Sequence, residues 1–452
     1  MGAEMRHGGI VNSAVFSLDG KKIVTAGSDY TAKLWDLAAG EQLRLTMKHG
    51  GSINSAVFSP DGKKIVTASS DSTIRLWDAA TGKQIGVNMK HGGIVLSAVF
   101  SPGGNEIVTA STDYTARLWD VATSKQLGAD MKHVGNVNSA VFSPDGKEIV
   151  TASNDDTVRL WDAATATLMR VNMKHENGVN SAVFSPDGKE IVTAGNDAMA
   201  RLWDAATGKQ IEADMKHDGI VRSAVFSPGG QKIVTGGDDK IARLWDAATG
   251  KQIGVDMKHE SYVYSAVFSP DGQKIVTASD DNTARLWAAA TGKQIGADMK
   301  HTNRVNSAVF SPDGKDIVTA SNDYTARLWD VATGKQISTD MKHESSVNSA
   351  VFSPDGQKIV TVSYDGTALL WNIGSDSDIP ANLFRLQVMF TTGYKLNIET
   401  GNLEAIPPEQ WYKLKEEYNT QAREHYKICK YREYNFWSRF YPEETRKIGQ
   451  LK

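Results

Sequence analysis

Tryptophan recurs at Trp35, Trp77, Trp119, Trp161, Trp203, Trp245, Trp287, Trp329 and Trp371, always 42 residues apart. Histidine keeps the same step from His7 and His49 to His343, and no insertion or deletion falls between these landmarks. Nine equal units of this length point to a repeat architecture, in which each unit buries its apolar face against the next.

The turn chemistry divides each unit into four short strands. In the second unit, Ile53 to Ser59 is a β-branched and aromatic run that ends at Pro60-Asp61-Gly62, a strong turn signal. Lys64 to Ser69 is closed by Ser70-Asp71-Ser72, Thr73 to Trp77 leads into the turn around Gly82, and Gln84 to Met89 runs to the next histidine. Four strands in about 42 residues are the content of one blade of a β-propeller.

With the Trp77-Asp78 pair and its counterparts, the units resemble the WD40 family over residues 1–374. Most units carry Lys-His where the family commonly has Gly-His, and the pair becomes Trp287-Ala288 and Trp371-Asn372 in two of them. Gly2-Ala3-Glu4-Met5 stands in register with Gly128-Ala129-Asp130-Met131, so the chain opens inside a fourth strand, and the ninth unit ends after its third. These complementary halves predict an all-β fold, one ring of nine four-stranded blades closed by the N-terminal strand. The usual range is four to eight blades, so closure at eight or seven stays open. Opening in mid-repeat also suggests a chain cut from a longer protein.

Every unit holds a His, with a Thr 18, an Asp 22 and a Trp 28 residues on, as in His49, Thr67, Asp71 and Trp77, or His175, Thr193, Asp197 and Trp203. Hydroxyl, imidazole and carboxylate are ingredients of nucleophilic catalysis, but nine copies are not nine active sites. The resemblance assigns the set to a structural hydrogen-bond network within each blade. Histidines spread one per blade cannot converge on an ion. No catalytic, metal or cofactor-binding residue is therefore expected.

The units differ at the three residues after His, the residue before Ser-Ala-Val-Phe, and the residues flanking the Asp. Antiparallel connections alternate between the ends of a sheet, so these positions share one rim. Rim candidates for partner binding are Tyr30, Leu96, Tyr114, Asp156, Arg222, Lys240, Tyr262, Tyr264, Arg304 and Tyr324. Loops on a rigid scaffold are the usual place for recognition, and Tyr and Arg are favoured contact residues.

Residues 375–452 form a second segment, read as a mainly helical extension that packs on the propeller or on a missing domain. Ala381 to Phe390 and Pro408 to Lys427 have helical spacing. Leu386 to Gly393 and Pro408-Glu409-Gln410-Trp411 resemble tails that follow WD40 arrays in bacterial signalling proteins of the STAND NTPase or Ser/Thr kinase type.

A net charge of −3 argues against nucleic acid as a partner. No apolar run is long enough for a bilayer, and the lone Cys429 gives no disulfide framework. The sequence thus reads as a cytoplasmic, monomeric, non-enzymatic module of a bacterial signalling or defence protein that binds a protein partner through its rim. The alternative is a small-molecule or glycan binder at the funnel mouth; an enzyme fits less well.

Overall fold

A computed structural model describes residues 4–37 and 45–373 and, further on, residues 394–396, 403–405, 410 and 413–421. Each 42-residue unit contributes to one antiparallel sheet of four strands, and nine such sheets follow in chain order as blades 1 to 9. Blade 2 is built from Ile53–Phe58, Lys64–Ser69, Thr73–Asp78 and Gln84–Lys90. The inner strands of successive blades touch one another from Val11–Phe16 round to Val347–Phe352, and the last of them returns to the first. That cycle makes the nine blades one closed ring.

Closure uses the N-terminus. Glu4–Arg6 is the outermost strand of blade 9, antiparallel to Thr367–Asn372, with Met5 opposite Ala368. Met5 joins Val11, Ile23 and Trp35 of blade 1 and Val360, Val362 and Leu370 of blade 9 in one apolar cluster. The same construction holds between blades elsewhere: Val66, Ile74, Leu76 and Met89 of blade 2 pack against Val95, Ile107 and Trp119 of blade 3. The second strand of each blade is buried on both faces, as in Ile65-Val66-Thr67-Ala68, where Thr67 is the one polar residue of an otherwise apolar run. Around the other end of the ring, the hairpin glycine of a blade lies against the proline of the blade before it, except at Gly62, where blade 1 carries Leu18 in place of the proline. A Cβ on Gly104 would stand 3.3 Å from Pro60, and one on Gly20 3.6 Å from Pro354 across the closure.

The chain divides into two compact units, Met1–Trp371 and Asn372–Lys452. In the second, Tyr394–Leu396 pairs antiparallel with Leu403–Ala405, a hairpin the helical spacing did not foresee. Residues 413–421 are helical, within the helix expected over 408–427; the helix expected over 381–390 lies outside the described residues.

Candidate functional site

The loop entering each blade and the turn between its second and third strands meet at one end of the sheet, here called the upper face. The buried network ties them together. In blade 2 the indole N–H of Trp77 donates to Thr67 Oγ1 at 2.8 Å, and His49 Nε2 lies 2.7 Å from the same oxygen. His49 Nδ1 lies 3.1 Å from Asp71 Oδ2. A carboxylate only accepts, so Nδ1 carries the proton. Burial disfavours a second proton on the ring, which leaves Nε2 to accept from the threonine hydroxyl in competition with the Arg75 carbonyl at 3.3 Å. Blade 5 repeats the set, with His175 Nδ1 2.9 Å from Asp197, Nε2 2.7 Å from Thr193, and Trp203 donating to Thr193 at 3.0 Å. Burial drives the His49 imidazole down to about 4, against the opposing pull of Asp71. Burial alone would raise the Asp71 carboxyl, but hydrogen bonds from Thr73 and Gly50, with His49, bring it to about 2. Thr67 is fully buried, and its oxygen is taken up by Trp77 and His49. It is closed off from solvent, and the set ties the strands and turns of the blade together.

This network grips the entering loop by its backbone. The amide N–H of Gly50 donates to Asp71 Oδ2 at 2.8 Å, and those of Val134, Glu176 and Glu344 reach their own aspartates in the same way. Side chains after the histidine are therefore free to differ, as they do.

The other two variable positions sit on backbone irregularities. The residue after each network aspartate is left-handed: Tyr30, Ser72, Tyr114, Asp156, Ala198, Lys240, Asn282, Tyr324 and Gly366 have φ between 66° and 82°. This region costs an L-residue about 1–2 kcal/mol, yet eight of the nine are not glycine. Tyr30, Tyr114 and Tyr324 are about half exposed there. The residue before Ser-Ala-Val-Phe falls where the inner strand slips register, between Ile53 and Ser55 in blade 2 and at the same place in the other blades. Such a bulge re-aims a side chain. Leu96, Arg222 and Tyr264 occupy it in blades 3, 6 and 7.

The rim candidates fall into two groups. Arg222, Tyr264 and Arg304 come together across blades 6, 7 and 8, with both guanidinium groups over the Tyr264 ring. Tyr262 and Lys240 are exposed on the same arc. Tyr30, Leu96, Tyr114, Asp156 and Tyr324 are distributed over blades 1, 3, 3, 4 and 8. Among the described residues no group of three or more His, Cys, Asp or Glu is placed to hold a metal ion.

Nine successive segments, 4–36, 40–78, 82–120, 125–162, 167–204, 209–246, 250–288, 292–330 and 334–372, match the family described as WD domain, G-beta repeat. The chain belongs to the WD40 family. Among solved structures it is similar to the computationally designed Ika8 protein, at 25% identity and a TM-score of 0.60, over 72% of this chain and 97% of that one. No curated protein matches. WD40 propellers are generally non-enzymatic scaffolds that bind protein partners. No helix among the described residues is long and apolar enough to cross a membrane.

Two members of this WD40 network escaped the sequence reading. Thr73 Oγ1 donates to Asp71 Oδ1 at 2.6 Å, and Arg75 Nη2 stands 3.6 Å from Asp71 Oδ2. Where the threonine is missing, at Met199 and Ile241, the arginine closes in: Arg201 and Arg243 reach their aspartates at 2.6 and 2.5 Å. Thr and Arg each return at the 42-residue step in seven of the nine units, and that recurrence was the available signal. The uniform turns of the opposite face also have a structural cause. Ser59 Oγ donates to Asp61 at 2.6 Å, and Thr81 Oγ1 to Asp78 at 2.7 Å, so their side chains are consumed within the turns.

Proposed function

We propose that this propeller is a recognition module that holds a protein partner on its upper face, through the side chains set at the left-handed and bulged positions. One observation carries the reading: eight left-handed positions keep a non-glycine side chain where glycine would relieve the backbone. Strain kept at the same surface position in eight blades, and not at scattered sites such as Glu212, supports a function for these side chains. The spread of Tyr30, Tyr114, Asp156 and Tyr324 over four blades supports a macromolecule over a small ligand or glycan at the channel mouth. The net charge of −3 supports protein over nucleic acid.

The setting we favour is a monomeric, cytoplasmic module of a bacterial signalling or defence protein. Its support is the tail sequence Leu386 to Gly393 with Pro408 to Trp411, and a single cysteine suited to a reducing compartment.

The test is capture from host lysate with three proteins: the parent, an upper-face variant (Tyr114→Ala/Arg222→Ala/Tyr264→Ala/Tyr324→Ala), and an opposite-face variant (Asp61→Asn/Asp78→Asn). Loss of a captured protein by the upper-face variant alone is expected. Loss by the opposite-face variant alone would place recognition at the other end of the ring.

A further inference from the structure

Around much of the ring, neighbouring blades are tied at the mouth by an asparagine on the bulge. The amides of Asn12, Asn54, Asn138, Asn180 and Asn306 donate to the carbonyls of Ile53, Val95, Val179, Val221 and Val347 in the next inner strand, at 2.8–3.1 Å. In blades 6 and 7 Arg222 and Tyr264 take that position, and a stack stands in for the tie. The Arg222 and Arg304 guanidinium carbons lie 5.3 and 4.9 Å from the Tyr264 ring centroid, within the range of cation–π attraction.

The two cations differ in what meets their charge. Arg222 is paired with Asp238 through both carboxylate oxygens. Arg304 is held by neutral groups: Nε donates to Asn306 Oδ1 at 2.9 Å and Nη1 to the Tyr264 hydroxyl at 3.2 Å. That hydroxyl lies 3.4 Å from Asp280, so the tyrosine stands between Arg304 and the carboxylate as a bridge. Among the described residues no carboxylate pairs with Arg304 directly. A guanidinium presents five N–H donors in a planar fork. Two are engaged here, which leaves the Nη2 group and one Nη1 proton open. Asn306 is itself fixed by Asn322 at 2.8 Å and by the Val347 carbonyl. The fork is thus ordered before any ligand arrives, which removes part of the usual entropic cost of binding.

We infer that Arg304 is the seat for one carboxylate, the side chain of an Asp or Glu on a partner segment, held by the open edge of the fork. The inference rests on upper-face recognition and names the chemistry of one contact within it. A carboxylate suits the site better than a phosphate. Asp238 is neutralised by Arg222, but Glu260 and Asp280 stand on the same arc, Asp280 met among the described residues only by the Ser261 and Tyr264 hydroxyls. A group carrying about −1.5 to −2 charge would be repelled by them more strongly than a carboxylate.

Random peptides displayed on phage and selected on the intact chain test this. Enriched peptides should share an Asp or Glu. Changing it to Asn or Gln in a synthetic peptide, or changing Arg304→Gln in the protein, should each weaken binding about ten-fold or more, without adding. Arg304→Lys should restore only part of the affinity, since it keeps the charge without the fork. The peptide substitution leaves the protein untouched, so the answer does not depend on how the Arg304 variants fold. Peptides lost on the upper-face variant yet indifferent to both the acid and Arg304 would overturn the carboxylate seat and leave upper-face recognition standing. A phosphoserine peptide binding more tightly than its Asp counterpart would overturn the preference for a monoanion. Enrichment of none, or equal binding to the upper-face variant, would overturn both readings.

Discussion

Tyr30, Tyr114 and Tyr324 show at the scale of one residue how this protein trades backbone ease for side-chain placement. Replacing Tyr114 by glycine removes the left-handed penalty at φ 69° and keeps the turn. The expected result is a gain of about 0.5–1 kcal/mol in unfolding free energy, after allowance for the entropy glycine loses on folding. Glu212 provides the control. It is left-handed at φ 58° on an outer strand, where other blades carry Gly86, Gly128, Gly254 and Gly296. Glu212→Gly should stabilise by a similar amount in chemical denaturation and leave capture of a partner unchanged.

The buried histidines make a second prediction at this scale. His49 has a native value of about 4 against 6.5 when free, and His7, His91, His133, His175 and His343 are lowered by burial in the same way. Between pH 6.5 and 4 the unfolded chain takes up protons that the native one refuses, so acidification favours unfolding. Asp71, at about 2 in the native state against 3.8, continues the loss below pH 4. Melting temperature measured from pH 7 to pH 3 should fall throughout. A flat profile from 6.5 to 4 would mean that the imidazoles are charged in the native blade.

Within a blade, Thr67 is the member of the network on which two others depend. Thr67→Val keeps the volume but leaves the Trp77 indole N–H and His49 Nε2 buried without their shared partner. The expected cost is about 2–4 kcal/mol in denaturant unfolding, with no effect on partner capture once the protein is folded. This element was legible in the sequence because its four landmarks repeat in register and their donor and acceptor types interlock. Thr73 and Arg75 repeat in register too, but their roles depend on a turn that presents both oxygens of Asp71 to different neighbours, which spacing alone does not express. The left-handed turn was hidden for a different reason. Its usual marker is glycine, and only Gly366 supplies it; Tyr30, Ser72 and Lys240 disguise the conformation. The bulge was equally invisible, since Asn54 in a β-branched run reads as an ordinary strand residue.

For the whole molecule, the decisive feature is that the two ends of the array complete one blade. Register between Gly2-Ala3-Glu4-Met5 and the fourth strands pointed to this closure, while the number of blades in one ring needed the cycle of inner-strand contacts to decide it. Met5 is fully buried in the closing cluster, so Met5→Ala should cost about 2–5 kcal/mol. Because a ring has no free end, that loss should lower the melting of all blades together, visible as one shifted calorimetric transition. The central claim is that the strained upper-face tyrosines are kept for a partner, and one paired measurement tests it most directly. The variant Tyr30→Gly/Tyr114→Gly/Tyr324→Gly would be melted and used for capture from host lysate beside the parent chain. The account predicts a higher melting temperature together with loss of the captured protein; a higher melting temperature with undiminished capture would contradict it.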